Sequence, residues 1–365
     1  MSDPRSATAP DADEDDASAA LQVDLFGADE APAATPATTA RRAPAGAVQA
    51  AATQPDDLAL ARTLPASLRL GTSSWTYPGW EGLVWAGRHS ESQLSKSGLR
   101  AYARHPLLRA VGIDRGFYRP LTASQYERYA LQVPEDFRFT VKAPSLVCDA
   151  LIRSEDGRGK ELNPAFLDPA LAVQEFVQPA QEGLGAKTGA LVFQISPLPP
   201  ALLQRLPEQL ERLRRMLRAL PPLHERAPQA VVAVEVRDPQ WLTPDFVAVL
   251  REAGARYCLG LHPKLPPIEQ QLPLLRALWP GPLVCRWNLN RLHGPYGYEE
   301  AERRYGEFDR MQDPDPSTRA VLARVAHATA RAGHPVMVTI SNKAEGSAPL
   351  SVRALAQALA AQAAA

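Results

Sequence analysis

Cysteine is scarce in this chain of 365 residues. Cys148, Cys258 and Cys285 stand far apart and form no CxxC pair, so neither a disulfide framework nor a structural zinc site is implied. No GxGxxG or GxxxxGKS/T follows an apolar run, which argues against a Rossmann or P-loop nucleotide domain. No uncharged apolar stretch is long enough to span a bilayer. The N-terminus lacks a basic segment followed by an apolar run, so no signal peptide is expected and cytoplasm is the expected compartment. Histidine is also sparse, with 7 in all. Asp114, Glu235 and His262 are a mixture that hard-cation sites in barrels use, but only His262 among the histidines falls clearly on an inward strand position. Neither a metal nor a cofactor is expected.

What is present is unevenly distributed. Net charge is zero, yet residues 1–60 hold 11 acidic and 3 basic side chains, a net of −8. The rest therefore holds 29 acidic and 37 basic, a net of +8. A moderately basic body suits an anionic partner. Residues 1–62 are rich in Ala, Pro, Asp and Thr and nearly free of aromatics, a composition that cannot bury enough apolar area to offset chain entropy. They are expected to be a disordered tail, with residues 63–365 as the folded domain. One segment interrupts the tail. Gln22-Val23-Asp24-Leu25-Phe26 resembles the QxDLF peptide by which bacterial replication and repair proteins bind the DNA sliding clamp. In that reading Leu25 and Phe26 fill an apolar pocket, and Gln22 and Asp24 belong to the same contact. A chance match of five residues is the competing explanation.

From residue 68 onward, short β-rich runs alternate with longer helical patterns, as βα units do. Eight runs are distinguishable, at 68–74, 110–116, 137–142, 190–196, 230–237, 256–262, 283–288 and 336–341. Helix-like stretches such as 201–220, 244–253 and 318–332 separate them. Asp168-Pro169 and Thr243-Pro244 each place a capping residue before a proline at the first helical position. Eight such units in roughly 300 residues predict an α/β fold, a closed (β/α)8 TIM-type barrel.

Alternate residues of a strand share a face. On five of the runs one face is apolar, and the other is polar near its C-terminal end: Thr140 and Lys142, Gln194 and Ser196, Glu235 and Arg237, His262 on the face of Cys258 and Gly260, and Arg286 and Asn288. Polar side chains converging at the C-terminal ends of barrel strands mark a ligand mouth.

These runs also carry a resemblance. The segments Gly71-Thr72-Ser73-Ser74-Trp75-Thr76-Tyr77-Pro78-Gly79-Trp80, Phe117-Tyr118-Arg119, Phe139-Thr140-Val141-Lys142-Ala143-Pro144, Phe193-Gln194-Ile195-Ser196-Pro197, Val234-Glu235-Val236-Arg237-Asp238-Pro239-Gln240-Trp241 and Asn342-Lys343-Ala344-Glu345-Gly346-Ser347-Ala348-Pro349 resemble the YecE-like family, domain of unknown function 72. The resemblance covers about residues 68 to 355 and implies a TIM-type barrel without implying a reaction. The chain departs from many relatives at Gly112 and Asp114, where the family resemblance implies Glu and Asn, and at Arg286-Trp287-Asn288, where it implies Arg followed by His-Gly. His293-Gly294 comes several residues later.

Lys142, Arg119, Arg237, Arg286 and Lys343 fall at or just past strand ends, and several guanidiniums at one mouth imply an anionic ligand. Glu235 is the leading candidate for a general acid or base, with Lys142 and His262 as further catalytic candidates. It serves equally well as a residue that only orients Arg237 or Arg286. Asp114, Asn288 and Asn342 are expected to join the substrate site. Tyr77 and Tyr118 suit stacking on a sugar or base, whereas Trp80 is expected to fill loop core. Residues 342–347 are expected to form an anion cradle after the last strand.

Three functions stay open on the sequence. The first is an enzyme, such as a hydrolase or lyase, acting on a phosphate-bearing or nucleotide-like anion. The second is a nucleic-acid-processing factor tethered to the clamp. The third is a ligand-binding barrel that performs no chemistry.

Overall fold

The computed structural model describes residues 47–153 and 159–364. Its centre is a closed parallel barrel of β1 (Leu68–Thr72), β2 (Ala110–Ile113), β3 (Arg138–Lys142), β6 (Thr188–Ile195), β7 (Val231–Val236), β8 (Arg256–Leu261), β9 (Leu283–Trp287) and β10 (Val336–Ile340). Each strand matches one of the eight expected runs. β1 closes the ring against β10, with Leu68 beside Val336 and Thr72 beside Ile340. Both predicted helix starts are present. Asp168 accepts from the Leu171 N–H at 2.9 Å and Thr243 from that of Phe246 at 3.2 Å, each ahead of a proline that needs no backbone donor.

Side-chain alternation separates two cores. Outward residues such as Phe139, Phe193, Val234, Leu259 and Trp287 pack beneath the helices. Inward residues Ala190, Val192, Val231, Ala233, Cys258, Val284 and Met337 form a small apolar plug of their own. The plug fills the lower lumen, and on β6, β7, β9 and β10 the next inward position, Gln194, Glu235, Arg286 and Thr339, is polar and lies nearer the C-terminal mouth. All five face assignments made from the sequence follow this division.

Two features depart from the expectations. An antiparallel hairpin, β4 (Leu151–Arg153) with β5 (Gly159–Leu162), is inserted between β3 and β6. Its strands are too short and too charged for a period of two to stand out. The domain boundary also moves. Residues 47–62, assigned to the tail by composition, are part of the folded body. Ala50 bridges Trp85, and the helix Pro55–Thr63 packs beside the closing helix Ala348–Ala364. That helix sets Leu60 and Ala61 against the core, and its Asp57 is buried, accepts from Arg353 at 2.5 Å, and has His105 Nε2 at 3.7 Å. The clamp-like peptide Gln22–Phe26 lies outside the described residues. Among the described residues, no helix is long and apolar enough to cross a membrane.

Candidate functional site

β7 ends in alternating Val, Glu, Val and Arg, and because Ala233 faces the lumen, Glu235 and Arg237 do too. Glu235 is completely enclosed. Its Oε1 accepts from Arg237 Nη1 at 2.5 Å and from Asn288 Nδ2 at 2.9 Å. Its Oε2 accepts from Arg286 Nη1 at 2.8 Å. Burial alone would push this carboxyl up, but the Arg237 and Arg286 charges outweigh it and hold the group below the usual carboxylate value. An ionised carboxylate with both oxygens engaged has no proton to give. Both oxygens of Glu235 are engaged, and it holds two guanidiniums.

Arg286 is the hub. Besides Glu235, it donates to Gln194 Oε1 at 2.7 Å and, through Nη2, to Asp114 Oδ2 at 2.5 Å. Arg237 Nη2 shares Gln194 Oε1 at 3.1 Å. The network thus ties β6, β7, β9 and the loop after β2 together across the lumen. Asp114 keeps a side chain 24% exposed and forms the outer edge of the network.

Lys142 ends β3 on its inward face and is buried, with Nζ 3.7 Å from the centroid of the Phe117 ring. Its charge also reaches Glu235. His262, one step past β8, is buried, and its Nδ1 accepts from the Lys264 backbone N–H at 3.0 Å. A backbone N–H can only donate, so Nδ1 carries the lone pair and Nε2 carries the proton of the neutral ring. The ring lies 5.5 Å from that of Tyr298.

The structure therefore gathers Asp114, Arg237, Arg286, Asn288 and Glu235 in one bonded network, with Lys142 and His262 on the same inward faces. Arg119 is exposed. Tyr118 is half-buried against Phe117, and Tyr77 is half-buried between Trp80 and Phe308. Trp80 is fully buried as loop core and donates to Asn342 Oδ1 at 3.1 Å.

The cradle expected at 342–347 is filled by the protein itself. Asn342 Oδ1 also caps the closing helix through the Ala348 N–H at 2.8 Å. Lys343 pairs with Glu302 at 3.0 Å. The buried Glu345 carboxylate accepts from the Asp315 N–H at 2.7 Å and from Arg319. Gly346, at φ 108°, lets the turn press on the 310–312 segment, where a Cβ would fall 2.8 Å from Arg310 O. Glycine there admits the protein's own backbone rather than a ligand.

Gln194 was missed as a site residue, although its inward parity on β6 was legible. Its importance comes from accepting two guanidiniums at once, which only the closed ring brings about. The three thiols are pushed up by burial and are not poised as nucleophiles. Among the described residues, no group of three or more His, Cys, Asp or Glu side chains is arranged to hold a metal.

Fold and site together define a (β/α)8 barrel with an apolar plug below and a buried charge network above. The sequence model described as "Protein of unknown function DUF72" matches residues 69–365, and the chain belongs to that family. A crystal structure of a DUF72 family protein from Enterococcus faecalis V583 is similar, with a TM-score of 0.54 and 18% identity over 80% of this chain and 95% of that one. One from Thermotoga maritima MSB8 aligns with a TM-score of 0.44 and 17% identity over 82% of this chain and 99% of that one. No curated protein matches the chain.

Proposed function

We propose that this barrel binds a small anionic molecule, bearing phosphate or carboxylate, at the C-terminal mouth of its strands. The observation that carries the reading is the sharing of one enclosed carboxylate by two guanidiniums: Arg237 on Oε1 and Arg286 on Oε2 of Glu235. A guanidinium clamped in this way is pre-organised, so little side-chain entropy is lost when a ligand arrives. Arg286, Asn288, Lys142 and His262 are the contact groups, and Glu235 positions Arg286 and Asn288. In this reading any proton transfer falls to His262 and Lys142, because Glu235 is held ionised. Whether chemistry follows binding separates an enzyme from a pure ligand-binding barrel.

The deciding measurement is a thermal-shift screen of the full chain against nucleotides, sugar phosphates, dicarboxylates and single-stranded DNA. A ligand at about 100 times its Kd adds roughly 2.7 kcal/mol of stability and raises the unfolding temperature. A flat response across all four classes overturns the proposal.

A second reading rests on Gln22–Phe26, whose likeness to the clamp-binding peptide suits a tether that delivers the barrel to DNA. It concerns a separate part of the chain and is tested separately.

A further inference from the structure

At the opposite end of the barrel from the mouth, a cavity of about 200 Å³ opens between the helices Ile268–Ala277 and Pro316–Arg331. Leu272, Leu275, Leu278 and Val325 form its walls. Trp279 stands at its edge, 49% exposed although it is one of the largest apolar side chains. The polar groups of two lining residues are already satisfied: Tyr257 Oη donates to Gln271 at 2.6 Å and Thr329 Oγ1 to Val325 O at 2.9 Å.

Arg256, the first residue of β8, is the exception. Its guanidinium is half-buried in this apolar setting and lies against Gly281, where a Cβ would fall 2.2 Å from its central carbon. Nη1 caps the end of the helix Ile268–Ala277 by donating to Leu278 O at 2.6 Å. That is one donor of five. Among the described residues Arg256 makes no ion pair, and burial lowers its affinity for its own proton. Arg276, exposed on the rim, likewise has no acidic partner among the described residues. A guanidinium partly stripped of water beside an apolar hollow gains from an anion that pairs with it there.

We propose that this cavity binds a small monocarboxylate with an apolar body. Its carboxylate pairs with Arg256 in the two-pronged geometry that guanidinium favours. Its body lies among the leucines, and Arg276 closes the entrance. The size fits a single ring with a short arm, since an apolar cavity of about 150 Å³ accepts benzene. A phosphate or sugar phosphate, with several oxygens to hydrate, gains nothing from such walls.

Isothermal titration of the full chain with hydrocinnamate, beside the uncharged hydrocinnamyl alcohol, tests this. The acid should bind one to one and at least about tenfold tighter than the alcohol, the difference a charge-assisted hydrogen-bond pair supplies. Arg256→Met should erase that preference. Ala328→Phe, at an exposed helix position lining the cavity, should abolish binding of both compounds while leaving the circular-dichroism spectrum unchanged. It decides the matter if the Arg256 variant fails to fold. Equal affinity for acid and alcohol, undiminished binding in Ala328→Phe, or no binding of the acid overturns the proposal.

Discussion

Arg286 on β9 donates to the enclosed Glu235 on β7 at 2.8 Å, bridging the lumen over the intervening strand β8. The contact joins elements far apart in the sequence and makes the charge network a structural part of the barrel as well as its mouth. Removing one partner leaves the other buried without compensation.

Glu235→Gln should therefore cost about 3–5 kcal/mol, the usual penalty for stranding a buried charge. Chemical unfolding at neutral pH measures it, and a loss under about 1 kcal/mol would show that the guanidiniums do not depend on this carboxylate. The pH dependence has a definite sign. Because the folded-state value is depressed, Glu235 contributes stability above the ordinary carboxylate range and loses it as pH falls through its folded value. The gap between wild type and variant should shrink in acid.

Arg286→Lys and Arg286→Met should both disable the mouth. Arg286 meets Glu235, Gln194 and Asp114 with two nitrogens of one planar group. An ammonium is a compact point charge that cannot span three acceptors. Both variants should lose the thermal shift produced by any anion that stabilises the wild type. An undiminished shift in the Lys variant would mean that charge alone, without the fork, suffices at this mouth.

His105 gives a second pH-dependent signal. Burial lowers its value from 6.5 to about 4, with Arg353 adding to the effect and Asp57 opposing it. The folded protein thus resists a proton that the unfolded chain accepts at 6.5. Stability from this group is complete above that value and drains away as pH falls toward about 4. The unfolding free energy should fall there with up to about 1.4 kcal/mol per pH unit from this residue, and His105→Gln should flatten the slope accordingly. Parallel profiles for the two proteins would exclude His105 as the source.

The tail reading predicts that the full chain captures the bacterial sliding clamp in a pull-down. Leu25→Ala combined with Phe26→Ala should abolish capture, since anchor residues of short peptides carry most of the affinity. Capture that survives the double substitution would end the tether idea.

Much of this is legible in the sequence. Val-Glu-Val-Arg and Cys-Arg-Trp-Asn alternate so plainly that the lumen faces of β7 and β9 could be assigned, and Glu235 stood out as a candidate to orient Arg237 or Arg286. Less legible was the N-terminal boundary. Residues 47–62 read as tail because they hold few large apolar side chains and no aromatic, but Val48 is buried in the core, Leu60 and Ala61 pack against it, and the buried Asp57 pairs with Arg353. The 342–347 turn resembled an anion cradle because Gly and Ser allow close approach, yet the groups that approach are Arg310 and Gln312 from an earlier loop and Arg319 from the helix Pro316–Arg331.

The sequence by itself determined the strand count, the alternation and hence which side chains enter the lumen, because those follow from a period of two along a chain whose neighbours are covalently fixed. Only the tertiary structure decided who pairs with whom. Gln194 accepting two guanidiniums, Asp114 completing Arg286 and Lys343 turning to Glu302 all arise from ring closure. That closure sets distances between residues of remote index, and no local pattern encodes them.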